Sequence, residues 1–310
     1  MNAIEVNNLT KNYGATEVLK GIQLTIQKGE IFGFVGHNGS GKSTFIHILT
    51  GISNKTSGSF EILGVPDRKL NQVKKRIGVM PDVANLYHHM RGINFLKYMG
   101  SLVKDQRSER KYEILLHELG LQGAERRKIK TYSFGMKKKI SIAQALLGDP
   151  ELIILDEPTS GLDPESTIEI RKVIKRLQEQ GKTVFLTSHN LDEIDKISDR
   201  VGILSDGIIK KLGTPRELKS ATKEGIRISV RTKPVLTVDK IQELNTKFKI
   251  NVTFVEINKK VTRLNITSDD EISRLSKALF QSDFSLYEIK IDENSLEDVF
   301  MNSRSIKNNA

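Results

Sequence analysis

Two kinds of hydrophobic rhythm divide the chain. Residues 3–9 and 22–26 alternate apolar with polar positions, which predicts two short strands, the first at a sheet edge. Residues 59–62 add a third strand to the same antiparallel layer. Three other stretches are almost continuously apolar: 31–35 (IFGFV), 152–155 (LIIL) and 183–187 (TVFLT). Such runs suit strands buried on both faces of a parallel sheet. Residues 73–79 end in a further strand-like segment, and 201–204 with 208–210 flank Asp206-Gly207, the turn of a hairpin. From about 83 to 147 the period becomes helical. Ile93, Leu96, Met99 and Leu102 share a face, followed by Ile114, Leu115 and Leu119, which predicts a helical subdomain standing on the sheet core.

Beyond residue 226 the pattern changes again. Alternation over 226–230 precedes a helix over 239–248, with Ile241, Leu244 and Phe248 on one face. Strands over 250–257 and 261–266, a helix over 271–280 and a strand over 285–291 follow. The order β-α-β-β-α-β predicts a small ferredoxin-like α+β unit. Ser295-Leu296-Glu297-Asp298 reads as a capping box opening a last helix with Val299, Phe300 and Met301, ahead of a polar tail from Arg304. The expected division is 1–220 for an α/β domain and 221–310 for an accessory domain.

Composition narrows the class. With 310 residues, 37% of them hydrophobic and 28% charged, the chain suits two globular domains. There are no cysteines, hence no disulfide framework and no thiolate metal site. No apolar run approaches the roughly 18–20 residues that span a bilayer, and no signal region follows Met1, so a membrane role is expected to pass through a partner. The net charge is +11, most of it within the first 220 residues. Its densest cluster is Arg126, Arg127, Lys128, Lys130, Lys137, Lys138 and Lys139, read as a solvated helix face and loop. Charge alone does not nominate a nucleic acid.

The candidate chemistry starts at Gly36-His37-Asn38-Gly39-Ser40-Gly41-Lys42-Ser43-Thr44, between the apolar run at 31–35 and a helical segment. Strand, glycine-rich loop and helix, in that order, form the context of a phosphate-binding loop. Its glycines let backbone N–H groups converge on a phosphate, toward which the helix aims its positive end. Lys42 offers a cation to the β- and γ-phosphates, and Ser43 a hydroxyl to Mg²⁺. The run at 152–155 delivers Asp156 and Glu157 at its C-terminal end. Asp156 suits the hydrated shell of Mg²⁺, and Glu157 stands where an attacking water needs an acceptor. The run at 183–187 delivers Ser188 and His189 to the same side, which gives His189 a γ-phosphate role. Tyr13, expected in the loop between the first two strands, either packs or stacks on a base. Ser133 and Gly135 lie at the start of a helix running to Leu147. That second anion site predicts two copies facing each other, each completing the other's site. His88 and His89 lack a partner at metal-ligand spacing and read as a surface pair.

Taken together, residues 1 to about 215 resemble the ATP-binding subunit of an ABC (ATP-binding cassette) transporter. The resemblance implies a P-loop NTPase core with an antiparallel β layer and a helical subdomain. It implies that Tyr13 stacks on adenine, that residues 36–43 cradle the phosphates, and that Ser133 and Gly135 belong to a signature motif acting across a dimer. Asp156 then serves Mg²⁺, Glu157 is the catalytic carboxylate, His189 contacts the γ-phosphate, and Ser160-Gly161-Leu162-Asp163 signals between the two sites. Two departures stand out. The family usually has glutamine where Asp82 aligns, touching Mg²⁺ or its water and reporting to the membrane subunit. The signature carries Phe134 where glycine is commonest and Met136 in place of glutamine. Phe134 is expected to point away from the phosphate.

The Ser295-Leu296-Glu297-Asp298-Val299-Phe300 ending resembles that of ATPase subunits paired with ABC-2 type exporters, a grouping that often has an acid at the Asp82 position. The function so implied is an ATPase working as a dimer, of itself or with a paralogue. It would be peripheral on the cytoplasmic face of the cell membrane, driving export of a drug, peptide, lipid or polysaccharide through a separate permease subunit. ATP and Mg²⁺ are its expected cofactors, and nucleic acid is not an expected partner. The rival is a soluble ABC ATPase acting on ribosomes or nucleic acid; those usually carry two cassettes or a long coiled coil, and this chain has one phosphate loop. For residues 221–310, regulation or dimer stabilisation stands beside a passive appendage.

Overall fold

The computed structural model describes residues 1–220, 226–258, 260–292, 295–297 and 299. Part of the expected last helix, namely Asp298, Phe300 and Met301, and the tail beyond lie outside them. The chain forms two compact units that divide at Pro215 and Arg216, five residues before the boundary expected from the sequence.

The first unit begins with β1 (Asn2–Tyr13), β2 (Thr16–Gln27), β3 (Ile31–Val35), α1 (Lys42–Leu49), β4 (Ser57–Ile62), β5 (Val65–Pro66) and β6 (Ile77–Val79). The helical stretch follows as α2 (Gly92–Val103), α3 (Glu109–Glu118) and α4 (Phe134–Ala145). The chain then returns to the sheet through β7 (Leu152–Leu155), α5 (Pro164–Glu179), β8 (Thr183–Ser188), α6 (Leu191–Ile197), β9 (Arg200–Ser205) and β10 (Ile208–Gly213), with α7 (Pro215–Ser220) at the division. Among the described residues two sheets result, in the orders β2-β1-β4-β5 and β10-β9-β3-β8-β7-β6.

β1 is not an edge strand. It pairs with β2 on one side and β4 on the other, Ile4 facing Ile26 and Ile62. Its alternation reports one solvated face, which a central strand of an antiparallel layer also has. The apolar runs lie inside the second sheet: β3 runs parallel between β8 and β9, and β7 parallel between β6 and β8. Phe34 of β3, Phe45 of α1 and Phe185 of β8 pack in tilted pairs with ring centroids 5.0 to 5.9 Å apart, fastening the first helix to the strands that deliver the loop and His189.

The face of α2 also differs from the sequence expectation. Ile93, Phe95, Leu96 and Gly100 are buried, whereas Leu102 is exposed, as is Ile114 on α3. Positions 93, 96 and 100 keep the three- and four-residue spacing of one stripe, and 102 falls on the far side.

The second unit contains β11 (Ile226–Lys233), α8 (Val238–Phe248), β12 (Val252–Asn258), β13 (Val261–Ile266), α9 (Asp269–Phe280) and β14 (Ser285–Asp292). All its pairings are antiparallel, in the order β12-β13-β11-β14, the ferredoxin-like arrangement. Ile228, Val230, Leu244, Leu264, Leu275 and Leu279 fill its core.

Candidate active site

β3 ends at Val35, and the chain turns through residues 36–41 before α1 starts at Lys42. Gly41 is the N-cap residue of α1, with φ +110° and no side-chain cap, so the first-turn N–H groups of the helix are left to an anion. A Cβ on Gly36 would lie 2.5 Å from Leu204 O and 2.6 Å from Ser40 Oγ, so only glycine lets the loop close. Ser40 Oγ is buried without a partner among the described residues. The His37 ring turns back onto Asn38 O, 2.8 Å from Nδ1, while Asn38 and Gly39 are exposed at the loop tip and Thr44 is half-buried.

Lys42 is buried, and its ammonium donates to Gly36 O (2.7 Å) and His37 O (3.2 Å). Burial pushes its pKa below the ordinary lysine range, against the pull of Glu157 and then Asp156. Glu157 Oε1 lies 3.9 Å from Nζ. Ser43 Oγ donates to Asp156 Oδ2 at 3.5 Å, which brings the phosphate loop against the end of β7. A hydroxyl and a carboxylate facing one another form a hard oxygen set that fits Mg²⁺, an ion that keeps waters and takes one or two carboxylates.

Glu157 adopts a left-handed backbone, φ +49°, which costs a non-glycine residue on the order of 1–3 kcal/mol. Its peptide groups are held on both sides. Its N–H donates to Thr187 Oγ1 (3.0 Å), and its carbonyl accepts from Lys138 Nζ (2.6 Å). Thr187 Oγ1 also donates to Asp156 Oδ1, so one fully buried hydroxyl of β8 orders both acids. The Glu157 carboxylate reaches His189 Nδ1 at 2.9 Å, and the His189 ring is half exposed. Lys42, Ser43, Asp156, Glu157 and His189 thus converge from the C-terminal ends of β3, β7 and β8, where open α/β sheets bind ligands.

The other candidates are not hydrogen-bonded into this cluster among the described residues. Tyr13 is the last residue of β1, paired with Thr16, rather than a loop residue. Its ring is half exposed, with Lys11 Nζ 4.5 Å from the centroid. Asp82 caps the 3₁₀ turn Val83–Asn85 by accepting from Ala84 N (3.0 Å), and is hydrogen-bonded to neither Ser43 nor Asp156. Ser133 is exposed and caps α4, accepting from Met136 N, and Gly135 faces Ser166. Neither is hydrogen-bonded to the phosphate loop of its own chain among the described residues. Phe134 is exposed and lies beside Gly161.

Two residues escaped sequence reasoning. Thr187 was hidden inside an apolar strand run. Lys138 belongs to the basic cluster expected on a solvated face, yet both Lys138 and Lys139 are buried. Helical phase gives no signal for it, because α4 buries Gly135, every residue from Lys138 to Ala143, and Ala145, around most of its circumference.

Residues 19–160 match the family model described as ABC transporter. The linearmycin resistance ATP-binding protein LnrL of Bacillus subtilis is 33% identical over 96% of this chain and 97% of its own length. The lantibiotic transport ATP-binding protein SrtF of Streptococcus pyogenes is 34% identical over 66% of this chain and 88% of its own. Among solved structures, the dimeric post-hydrolysis state of the ATP-binding cassette MJ0796 with ADP and Pi aligns with a TM-score of 0.62 and 26% identity. It covers 68% of this chain and 98% of that one. The phosphate loop, the paired acids and this likeness along nearly the whole chain agree: the protein belongs to the ATP-binding subunits of ABC transporters and is an ATPase of that family.

Proposed function

We propose that this chain powers export of a drug, peptide, lipid or polysaccharide, working as a dimer on a separate integral-membrane subunit at the cytoplasmic face of the cell membrane. The relatives named for linearmycin resistance and lantibiotic transport support an antimicrobial compound as cargo. The dimeric cassette structure supports the pairing, as does the exposed start of α4. Among the described residues no helix is long and apolar enough to cross a membrane, which suits a path carried by another chain.

The observation that carries the enzymatic reading is the convergence of Lys42, Ser43, Asp156, Glu157 and His189. In this proposal residues 36–44 wrap the triphosphate, and Lys42 exchanges its loop carbonyls for phosphate oxygens. Tyr13 stacks on the adenine. Ser43 and Asp156, and Asp82 with them, would hold Mg²⁺, which when bound would neutralise phosphate charge. Glu157 accepts a hydrogen bond from the attacking water and sets its line toward the γ-phosphorus. His189 steadies that carboxylate and meets the γ-phosphate. Ser133 and Gly135 serve the nucleotide held by the second copy, and Ser160, Gly161, Leu162 and Asp163 carry the signal between sites. Residues 221–310, taken as a separate domain, regulate or stabilise the dimer.

The test is Glu157→Gln. ATP turnover should fall about 10²–10³-fold, with ATP retained in a stable dimer visible by gel filtration. Turnover near that of the wild type would overturn the assignment.

A further inference from the structure

We infer that Lys138 is a positioning residue for the attack on ATP: from inside α4 it clamps the main chain of Glu157 and so aims the carboxylate. The inference rests on the reading of Glu157 given above.

α4 carries three lysines in a row, and their surroundings differ. Lys137 is half-buried, and buried Lys139 is paired with Glu169 at 2.5 Å. Lys138 is 8% exposed, and its ammonium spends a short hydrogen bond, 2.6 Å, on the carbonyl of Glu157. A backbone carbonyl can be satisfied by a neutral donor, so burying an ammonium there calls for a further reason. Charge supplies it, since Asp82, Glu157 and Asp156 all act on Lys138. Burial still pushes its pKa below the ordinary lysine range, and the three acids resist that shift. Lys42 is a second buried cation beside Glu157 and Asp156, but it donates to the phosphate loop and is committed to phosphate.

The geometry gives the clamp its purpose. Glu157 occupies φ +49°, a conformation that a glutamate leaves unless it is restrained. Thr187 restrains its N–H from β8, and Lys138 restrains its carbonyl from α4. With both ends fixed, the side chain points to His189 and Lys42. Losing the Lys138 end lets the peptide relax and swings the carboxylate out of line. Small displacements of positioned groups cost large factors in rate while leaving substrate binding intact.

The test uses the full-length chain, with steady-state ATP turnover and the affinity for a fluorescent ATP analogue as readouts. K138M should lower kcat at least tenfold with KM and analogue affinity within threefold, and K138R should recover kcat to within threefold of wild type. In an E157Q background, adding K138M should change the residual single-turnover rate less than twofold, because the group it aims is gone. Should K138M not fold, K138Q takes its place under the same limits. Unchanged kcat in K138M, a loss shared equally with analogue affinity, or a further tenfold loss on top of E157Q would each overturn the inference. E157Q with near wild-type turnover would instead strike the reading of Glu157 itself.

Discussion

In the first unit, buried polar side chains gather where strands end and bond to one another's neighbours: Lys42 at the loop after β3, Thr187 between two acids, Lys138 on Glu157. In the second unit, the buried side chains of Thr232, Thr262 and Glu271 each bond to main chain. Thr232 donates to Pro234 O, Thr262 to Leu236 O, and Glu271 accepts from Asn251 N. A buried polar group costs free energy unless it is paired, so both sets are compensated. What differs is the partner. Pairing to a single loop carbonyl or amide fixes a turn, whereas pairing that meets on two carboxylates builds a site whose geometry can act on a ligand.

The strongest way to break this contrast is Thr187→Val, which keeps the shape and removes a hydroxyl shared by Asp156 and Glu157. ATP turnover should fall about 10–100-fold, while the roughly 1–2 kcal/mol of stability lost with the hydrogen bonds leaves the protein folded. Turnover and a chemical denaturation curve on the same sample check it; full turnover would mean that the convergence is scaffold too. The counterpart in the second unit is Thr262→Val, which leaves Leu236 O unpaired inside a core. Stability should drop by about 1–2 kcal/mol with ATP turnover within twofold of wild type. A large turnover loss there would assign chemistry to the accessory unit.

How much of this was legible depends on the kind of signal. The parallel strands, the phosphate loop and the Asp206-Gly207 hairpin announced themselves, because burial on both faces and left-handed turns restrict residue choice locally. The second unit was legible from period alone, since each helix and strand has one wet face. Alternation does not tell a central from an edge strand, so β1 lies inside its sheet and not at the expected edge. Lys138 is hidden because α4 is buried around most of its circumference, so neither its charge nor its helical phase marks it. That Glu157 is left-handed is a tertiary fact, imposed by Thr187 and Lys138 from distant elements, and no local residue preference encodes it.

The smallest effect sharpens the comparison most, because it concerns a residue of the first unit whose pairing is of the second unit's kind. Tyr132 stands immediately before Ser133, is buried, and donates its hydroxyl to Ala124 O at 2.7 Å. By the partner rule it is scaffold, despite its place beside the signature residues. Burial, with Glu125 adding and Arg127 opposing, raises its pKa from 10.0 to about 12. Between those values the unfolded chain has released the phenolic proton and the folded one keeps it. The stability contributed by the neutral phenol is therefore complete below pH 10 and is lost as pH rises toward 12. Tyr132→Phe should cost about 1 kcal/mol at neutral pH and remove this titration. Between pH 8 and 11 the wild type should then lose about 1.4 kcal/mol more than the variant, one pKa unit's worth, read from urea unfolding at each pH. ATP turnover at neutral pH should stay within threefold. If turnover collapsed while the alkaline difference appeared as expected, the hydroxyl would hold Ser133 for the second copy's nucleotide, and the kind of partner would no longer separate scaffold from site.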